Sequence, residues 1–221
     1  MTDIFEYLSN NAYPGRGIIV GQYQDKPVIA YFIMGRSVNS RNRIFIKKDD
    51  VLSTEAYDIS KVADPSLIIY NAIREHGNNI IVTNGNQTDT IYEHLNEGKT
   101  FRDALETREY EPDAPNYTPR ISAIIEEDGC QIAILKKEDD HCLRLFYRYP
   151  AVNGLAHFIS TYDHDGNPLP SFSGEPLQLK VEMPFAEFGA ALWSSLNNEN
   201  KISLYVRFGE KEMIFNKNEG D

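Results

Sequence analysis

Cysteine, histidine and tryptophan are scarce in this chain of 221 residues, which contains two, five and one of them respectively. Cys130 and Cys142 form neither a CxxC pair nor a Cys/His ligand pattern, so we expect two ordinary buried thiols rather than a disulfide or a zinc site. The histidines show no HxxxH or HExxH spacing. The sequence therefore contains no motif for a metal site, and we predict that the protein binds no metal.

Long apolar runs and positive charge are also in short supply. No apolar run approaches the roughly eighteen residues that a membrane helix requires, and no secretory signal, repeat or Gly/Ser linker is recognisable. The 33 acidic residues against 22 basic ones give a net charge of −11, which opposes binding to a nucleic-acid polymer or an anionic membrane. We expect a cytoplasmic protein, in which 41% hydrophobic residues supply the core of a single domain spanning residues 1–221.

Runs of β-branched and aromatic residues are abundant in both halves of the chain. The first half contains a predicted hairpin, RGIIVGQY and PVIAYFIMG joined by QDK, followed by RIFIKK and NNIIVTNG. In the second half, RISAIIE is followed by three predicted successive antiparallel strands, CQIAILKK, CLRLFYRYP and GLAHFISTY. The later predicted strands are LQLKVEM, ISLYVRF and EMIFNK. With helices between and after the two blocks, this order favours an α+β protein in which helices cover stacked sheets.

Five segments carry helix signals. DPSLIIYNAIREHG predicts a helix with Asp64 as N-cap, Pro65 at its first position and Gly77 as its stop. TDIFEYL predicts a short helix capped by Thr2. Three more helices are predicted in NQTDTIYEHLNEG, in TFRDALETREY with Thr100 and Asp103 as a capping pair, and from Pro184 to Leu196.

Arginine is distributed unevenly. Eight of the eleven arginines precede residue 121, and GRSVNSRNR places three of them within nine residues. Because arginine suits bidentate contact with phosphate or carboxylate, this asymmetry indicates a local anion pocket in an acidic chain. A basic, solvated loop explains the same segment equally well.

Two further segments contain polar residues just before a predicted helix or strand. In VTNGNQTDT a strand gives way to a helix, and such a helix start favours anions, although a simple turn explains the same residues and no GxxxxGK[ST] loop is present. In EYEPDAPNYTPRISAII three prolines stiffen the approach to a strand. Glu111 directly precedes the first of these prolines, whereas Glu109 and Asp113 are expected to face solvent. A structural connector is the alternative explanation.

Taken in order, YPGRGIIVG, SRNR, SLIIYNAIR, VTNGNQTDTI and YEPDAPNYTPRISAII resemble the archaeal-type IMP cyclohydrolase family, between residues 13 and 125. The resemblance implies a four-layer αββα sandwich like that of N-terminal-nucleophile hydrolases, without use of the terminal residue as nucleophile. It also implies closure of 5-formamidoimidazole-4-carboxamide ribotide to inosine monophosphate (IMP) with loss of water, a step of purine synthesis that requires neither a metal nor a redox cofactor. The chain departs from the family pattern in its longer, tyrosine-rich C-terminal region, and its overall charge and lack of archaeal character elsewhere suggest a bacterial relative.

The same resemblance implies the site residues. Three residues would be catalytic. Arg43, from SRNR, would be an electrostatic stabiliser, and Glu111 would be the proton carrier. Tyr70, from the YN pair, would be a hydrogen-bond donor or a proton relay. Without the resemblance, Tyr70 fits an amphipathic core tyrosine. Contacts with the phosphate, ribose or carboxamide are predicted for Arg41, Asn84, Asn86, Thr88, Asn116 and Arg120.

Two other functions remain open at this point. One is an N-terminal-nucleophile amidohydrolase that exposes Thr2, although Thr2 is better explained as an N-cap. The other is a non-catalytic regulator that binds purine nucleotides. For the cyclohydrolase and for the regulator, the expected partner is a small purine ribotide, and the other partner considered is a second copy of the chain in a homo-oligomer.

Overall fold

A computed structural model of the chain describes residues 1–62 and 69–219. Within these residues, thirteen β-strands form two sheets in which every pairing is antiparallel. In chain order the strands are β1 (Arg16–Tyr23), β2 (Lys26–Met34), β3 (Arg43–Lys48), β4 (Val51–Ala56), β5 (Tyr70–His76), β6 (Asn79–Thr83), β7 (Arg120–Glu126), β8 (Gly129–Glu138), β9 (His141–Pro150), β10 (Leu155–Ser160), β11 (Leu177–Lys180), β12 (Lys201–Phe208) and β13 (Lys211–Asn216).

The helices are short and lie between or after the strands. The α-helices are α1 (Ile4–Asn10), α2 (Val38–Arg41), α3 (Gln87–Asn96), α4 (Phe101–Glu106) and α5 (Phe185–Ser195), with 3₁₀ turns at Ile59–Lys61 and Lys217–Glu219. Two antiparallel sheets together with these helices confirm the α+β class predicted from the sequence. Within the described ranges, no helix is long and apolar enough to cross a membrane.

The strand order places β1 and β2 at the centre of one sheet. The six-stranded sheet has the order β11-β10-β1-β2-β12-β13, and the seven-stranded sheet has the order β3-β4-β5-β6-β7-β8-β9. The predicted β1-β2 hairpin is confirmed, and its turn residues Gln24 and Asp25 have φ values of 50° and 59°. Such left-handed turn residues match the twist of the strands that they join.

Side-chain alternation along the central strands divides the core. In β2, Ile29, Tyr31 and Ile33 belong to an apolar cluster that also contains residues of β5, β7 and β8 from the other sheet. The intervening residues of β2, Val28, Ala30, Phe32 and Met34, belong to a second cluster with α1 and α5. Because successive side chains point to opposite faces of a strand, one uninterrupted apolar run serves both clusters.

A third cluster joins the seven-stranded sheet to α3 and α4. It contains Ile81, Ile124, Ala133 and Leu135 from the strands and Ile91, Phe101, Ala104 and Leu105 from the helices. The predicted capping pair at the start of α4 is confirmed, since the Thr100 hydroxyl accepts from the backbone N–H of Asp103 and the Asp103 carboxylate accepts from that of Thr100. Reciprocal bonds of this kind fix where the helix begins.

The helix predicted from Asp64 to Gly77 is wrong over its second half. Residues 70–76 form strand β5 between β4 and β6, while Asp64 and Pro65 lie outside the described residues. The apolar residues of this segment fit a helical stripe, but Tyr70 and Ala72 are buried at a spacing of two, as a strand requires. Pairing with strands on both sides therefore overrides the local helix signals.

Two smaller predictions also need correction. The N-cap of α1 is Asp3, whose carboxylate accepts from the backbone N–H groups of Phe5 and Glu6, whereas Thr2 forms an isolated bridge to Leu179. Aspartate is among the strongest N-cap residues, which explains why it takes this position. Of the two cysteines, Cys130 is buried as expected but Cys142 is only partly buried.

Candidate active site

A cavity of about 300 Å³ lies where β1 begins and β2 ends. Its wall is contributed by the start of β1, by the segment between β2 and β3, by the loop before β7 and by the residues that follow β10. The charged side chains that line it are Arg16, Arg36, Arg43, Glu111 and Asp113. Three guanidinium groups against two carboxylates make this cavity suited to an anion, as the arginine distribution predicted.

Arg43 is the first residue of β3 and is only 2% exposed. Its Nε donates to the carbonyl oxygen of Ser40 at 2.7 Å, and its Nη2 donates to that of Met34 at 3.1 Å. Its Nη1 is buried and has no hydrogen-bond partner in the described part of the chain. Since a buried donor without an acceptor is costly, this N–H group is available to an oxygen atom of a ligand or of water.

Glu111 is held in the loop that precedes β7 and is 3% exposed. Its backbone N–H donates to the carbonyl of Thr118 at 2.9 Å, which closes the loop, and its Oε1 lies 3.4 Å from Nη1 of Arg16. Burial raises the pKa of the Glu111 carboxyl, and the opposing charges of Arg16 and Arg120 offset this only in part. Glu111 therefore keeps a proton at higher pH than an exposed glutamate does, as a proton carrier requires.

Tyr70 does not line the arginine-lined cavity; it lines another depression together with Asn71, Asn86 and Asp89. It is 6% exposed, and its hydroxyl oxygen lies 2.7 Å from that of Tyr31. Both phenols are within electrostatic range of Arg16 and Arg43. Burial lowers the pKa of the Arg43 guanidinium, and the neighbouring charge of Arg16 acts in the same direction. The structure therefore brings Arg43, Glu111 and Tyr70 together around Arg16.

A second cavity of about 320 Å³ lies at the opposite ends of the same strands. Among the residues that the structure describes, its wall includes Asp25, Glu126 and Glu127 but no arginine or lysine. It also includes the stacked rings of Tyr149 and His157. A wall of this charge repels phosphate. The arginine-lined cavity is therefore the candidate site for an anionic ligand.

The chain is similar in sequence to proteins of one described family. A family described as IMP cyclohydrolase-like protein matches residues 13–213. The IMP cyclohydrolase of Methanococcus aeolicus is 31% identical over 156 residues, which cover 68% of this chain and 74% of that protein. The IMP cyclohydrolase of Methanocaldococcus jannaschii is 31% identical over 173 residues, which cover 74% of this chain and 81% of that protein.

The chain belongs to the IMP cyclohydrolase-like family. The family resemblance seen in the sequence is thereby confirmed, and the matched region extends well beyond residue 125 into the second sheet-forming block. Membership of the family does not by itself assign a role to any side chain.

Asn116 and Arg120 lie on the Glu111 loop and at its end. Asn116 lines the arginine-lined cavity. Arg120 does not line it, because its Nε donates to the carbonyl of Glu109 and its Nη1 to Oε1 of Gln87, both at 2.8 Å. A Cβ on Gly85 would lie 2.7 Å from Nη1 of Arg120, so glycine at that position permits the close approach.

Three predicted binding residues lie away from the cavity, at the turn between β6 and α3. The amide of Asn84 makes three internal hydrogen bonds, to Ile121, Gln87 and Pro119. The hydroxyl of Thr88 pairs with that of Thr83, and the amide of Asn86 accepts from Arg108. These contacts give Asn84 and Thr88 a structural role, so the contacts described here do not support the binding role predicted for Asn84, Asn86 and Thr88.

Arg41 likewise does not line the cavity. Its Nε donates to the carbonyl of Gly35 at 3.0 Å and its Nη2 to Oδ1 of Asn200 at 3.3 Å. Thr2 lies in a separate depression with α1, which leaves no geometric basis for a nucleophile at the cavity. Among the described residues there is also no group of three or more His, Cys, Asp or Glu side chains that would hold a metal ion.

Sequence reasoning missed Arg16 and Tyr31 and misplaced Asp113. Arg16 stands in YPGRGIIVG, the first family motif, and is one of the eight arginines that precede residue 121, but neither signal singled it out. Tyr31 had no signal beyond an apolar strand. Asp113, expected to face solvent, lines the cavity and accepts from the backbone N–H and hydroxyl of Thr118 at 2.6 and 2.5 Å. It therefore holds the loop that carries Glu111.

Proposed function

We propose that this protein is an IMP cyclohydrolase that closes 5-formamidoimidazole-4-carboxamide ribotide to IMP with loss of water in purine biosynthesis. Family membership supports the activity, and the buried cluster of Arg16, Arg43 and Glu111 supports its location. The single observation that carries the assignment is the unpartnered Nη1 of Arg43 in an arginine-lined cavity. It provides a donor where an oxygen atom of an anionic substrate would lie.

The reaction has three requirements. The weakly nucleophilic carboxamide nitrogen must lose a proton as it attacks the formyl carbon, the oxygen of that carbon gains negative charge, and the hydroxyl of the resulting carbinolamine must leave as water. Because both reacting groups belong to one molecule, holding a reactive conformation supplies much of the rate. The charge on the oxygen calls for donors that are fixed before the reaction.

We assign the requirements to the residues around the cavity. Arg43 stabilises the developing oxyanion through its free Nη1, and Tyr70 donates to the same oxygen or relays a proton. Glu111, whose pKa is raised by burial, carries the proton from the attacking nitrogen toward the departing hydroxyl. This allocation uses only side chains of the chain itself.

We assign binding of the ribotide to the more exposed side of the cavity. Arg36, whose side chain is 38% exposed, stacks on Tyr13 at 4.8 Å and forms an ion pair with Asp165. We assign the 5′-phosphate to Arg36, since a rim arginine held by an aromatic ring can approach phosphate bidentately. Asn116 is assigned to the ribose or the carboxamide.

The finer structural inferences follow the same family. Three apolar clusters, one between the sheets and one under each helical pair, support a four-layer αββα sandwich that resembles N-terminal-nucleophile hydrolases. The family match over residues 13–213 supports a single domain. A homo-oligomeric state and a cytoplasmic location stay predictions.

The test is to incubate the purified protein with the formylated ribotide and to follow IMP formation by ultraviolet absorbance. IMP formation that depends on Arg43 and Glu111 is the expected result. Tight binding of IMP with no turnover of the ribotide would instead identify a nucleotide-binding regulator.

A further inference from the structure

We propose that Tyr31 is a positioning residue that directs the hydroxyl proton of Tyr70 toward the ligand. The proposal rests on the cyclohydrolase function proposed above, in which Tyr70 is a hydrogen-bond donor to the substrate. Tyr31 is fully buried in the middle of β2, and its hydroxyl oxygen lies 2.7 Å from that of Tyr70. The two residues come from different sheets and are 39 positions apart in the chain.

The direction of this hydrogen bond follows from what surrounds each phenol. Each hydroxyl has one proton, and the Tyr70 hydroxyl is the partner that the Tyr31 hydroxyl has among the described residues. If Tyr70 donated to Tyr31, the Tyr31 proton would be left without an acceptor at a position that is 0% exposed. Buried donors without acceptors are disfavoured, so Tyr31 donates and Tyr70 accepts.

The proton of Tyr70 is then free for another acceptor. Tyr70 lies in the wall of another depression rather than among the residues that line the arginine-lined cavity, but Arg16 and Arg43, which do line that cavity, are its charged neighbours. A guanidinium group has only donors and cannot accept a hydrogen bond. The acceptor that fits both the Tyr70 hydroxyl and the unpartnered Nη1 of Arg43 is therefore an oxygen atom of a ligand held by these arginines.

Tyr31 is held rigidly enough for this role. In β2 it is paired with Ile18 on one side and with Tyr205 on the other, and its ring stacks on that of Phe45 with centroids 5.4 Å apart. Tyr70, in contrast, is the first residue of its strand. A fixed donor in a central strand thus sets the orientation of a hydroxyl at the end of another strand.

The decisive experiment is a double-mutant cycle of Tyr31→Phe and Tyr70→Phe in the ribotide cyclisation assay. Tyr31→Phe keeps the ring and its stacking on Phe45 and removes only the hydroxyl. We expect kcat to fall by about three- to tenfold, the value of one neutral hydrogen bond, with KM and the affinity for IMP unchanged. In the Tyr70→Phe background the same change should have no further effect, because its partner is already absent.

Tyr205→Phe is the matched control. Tyr205 is the cross-strand neighbour of Tyr31 and is 1% exposed, but its hydroxyl interacts with Arg207 and Glu212. We expect this variant to keep the wild-type kcat. Thermal melting of all variants establishes that they are folded.

Three results would overturn the proposal. Losses that add in the double variant would show that Tyr31 acts independently of Tyr70. A wild-type kcat for Tyr31→Phe would show that Tyr31 only packs in the core. A loss of IMP affinity and thermal stability together with the loss of kcat would show the same. If the wild-type protein forms no IMP, the proposed function itself fails, and this outcome is visible before any variant is measured.

Discussion

Replacing Arg43 by lysine tests the centre of the proposed site while keeping its charge. The guanidinium uses Nε for the Ser40 carbonyl and Nη2 for the Met34 carbonyl, which leaves Nη1 for the ligand. The three donors point in different directions from one rigid plane. A lysine ammonium is a single point at the end of a flexible stem and cannot occupy all three positions.

Two magnitudes follow from this geometry. Loss of one donor to a developing oxyanion lowers kcat by about 10²–10³-fold. Loss of one of the two charged hydrogen bonds to backbone carbonyls costs about 1.5–3 kcal/mol of unfolding free energy. For a chain of this length, that cost lowers Tm by about 3–12 °C, at roughly 2–4 °C per kcal/mol.

The assay compares Arg43→Lys with Arg41→Lys for IMP formation and thermal melting. Arg41 is two residues away and also donates to a backbone carbonyl, that of Gly35, but it lies outside the cavity. The control should keep its kcat and lose little stability. Wild-type turnover in Arg43→Lys would remove Arg43 from the chemistry, and equal losses in both variants would show that the segment matters only for folding.

Three further predictions concern proton transfer and metals. Glu111→Gln should fold and lower kcat by about 10²–10⁴-fold with a smaller change in KM, whereas Glu109→Gln, whose side chain is 69% exposed, should be nearly silent. Because burial raises the pKa of Glu111, the native state binds a proton more strongly than the unfolded state does. Wild-type stability from denaturant unfolding should therefore fall, relative to Glu111→Gln, as pH rises above the unfolded pKa of about 4.3; a rise would contradict this sign. Finally, activity should survive exhaustive chelation, since the reaction needs no Lewis acid, and loss restored by one divalent metal would refute that.

The sequence by itself determined the elements whose signals are local. Runs of β-branched and aromatic residues predicted the β1-β2 hairpin and most later strands, and the reciprocal Thr100 and Asp103 side chains predicted the start of α4. These signals work because strand preference and helix capping depend on residues a few positions apart. The motifs also placed the chain in its family before any geometry was known.

Tertiary structure decided what local signals left ambiguous. The segment from Tyr70 to His76 fits a helical stripe, yet neighbouring strands on both sides make it β5. The turn that contains Asn84 has the composition of an anion-binding turn, yet the side-chain amide of Asn84 forms hydrogen bonds with Ile121, Gln87 and Pro119. In both cases partners that are distant in the chain outweigh a weak local preference.

The site itself depends on such distant partners. Arg16 meets Glu111 across 95 positions and Tyr31 meets Tyr70 across 39, and no spacing rule in the sequence links either pair. Folding buries these groups together, and burial then raises the pKa of Glu111, lowers that of Arg43 and leaves Nη1 of Arg43 without a partner. Desolvation by the surrounding sheets is the physical cause, and it exists only once both sheets have packed.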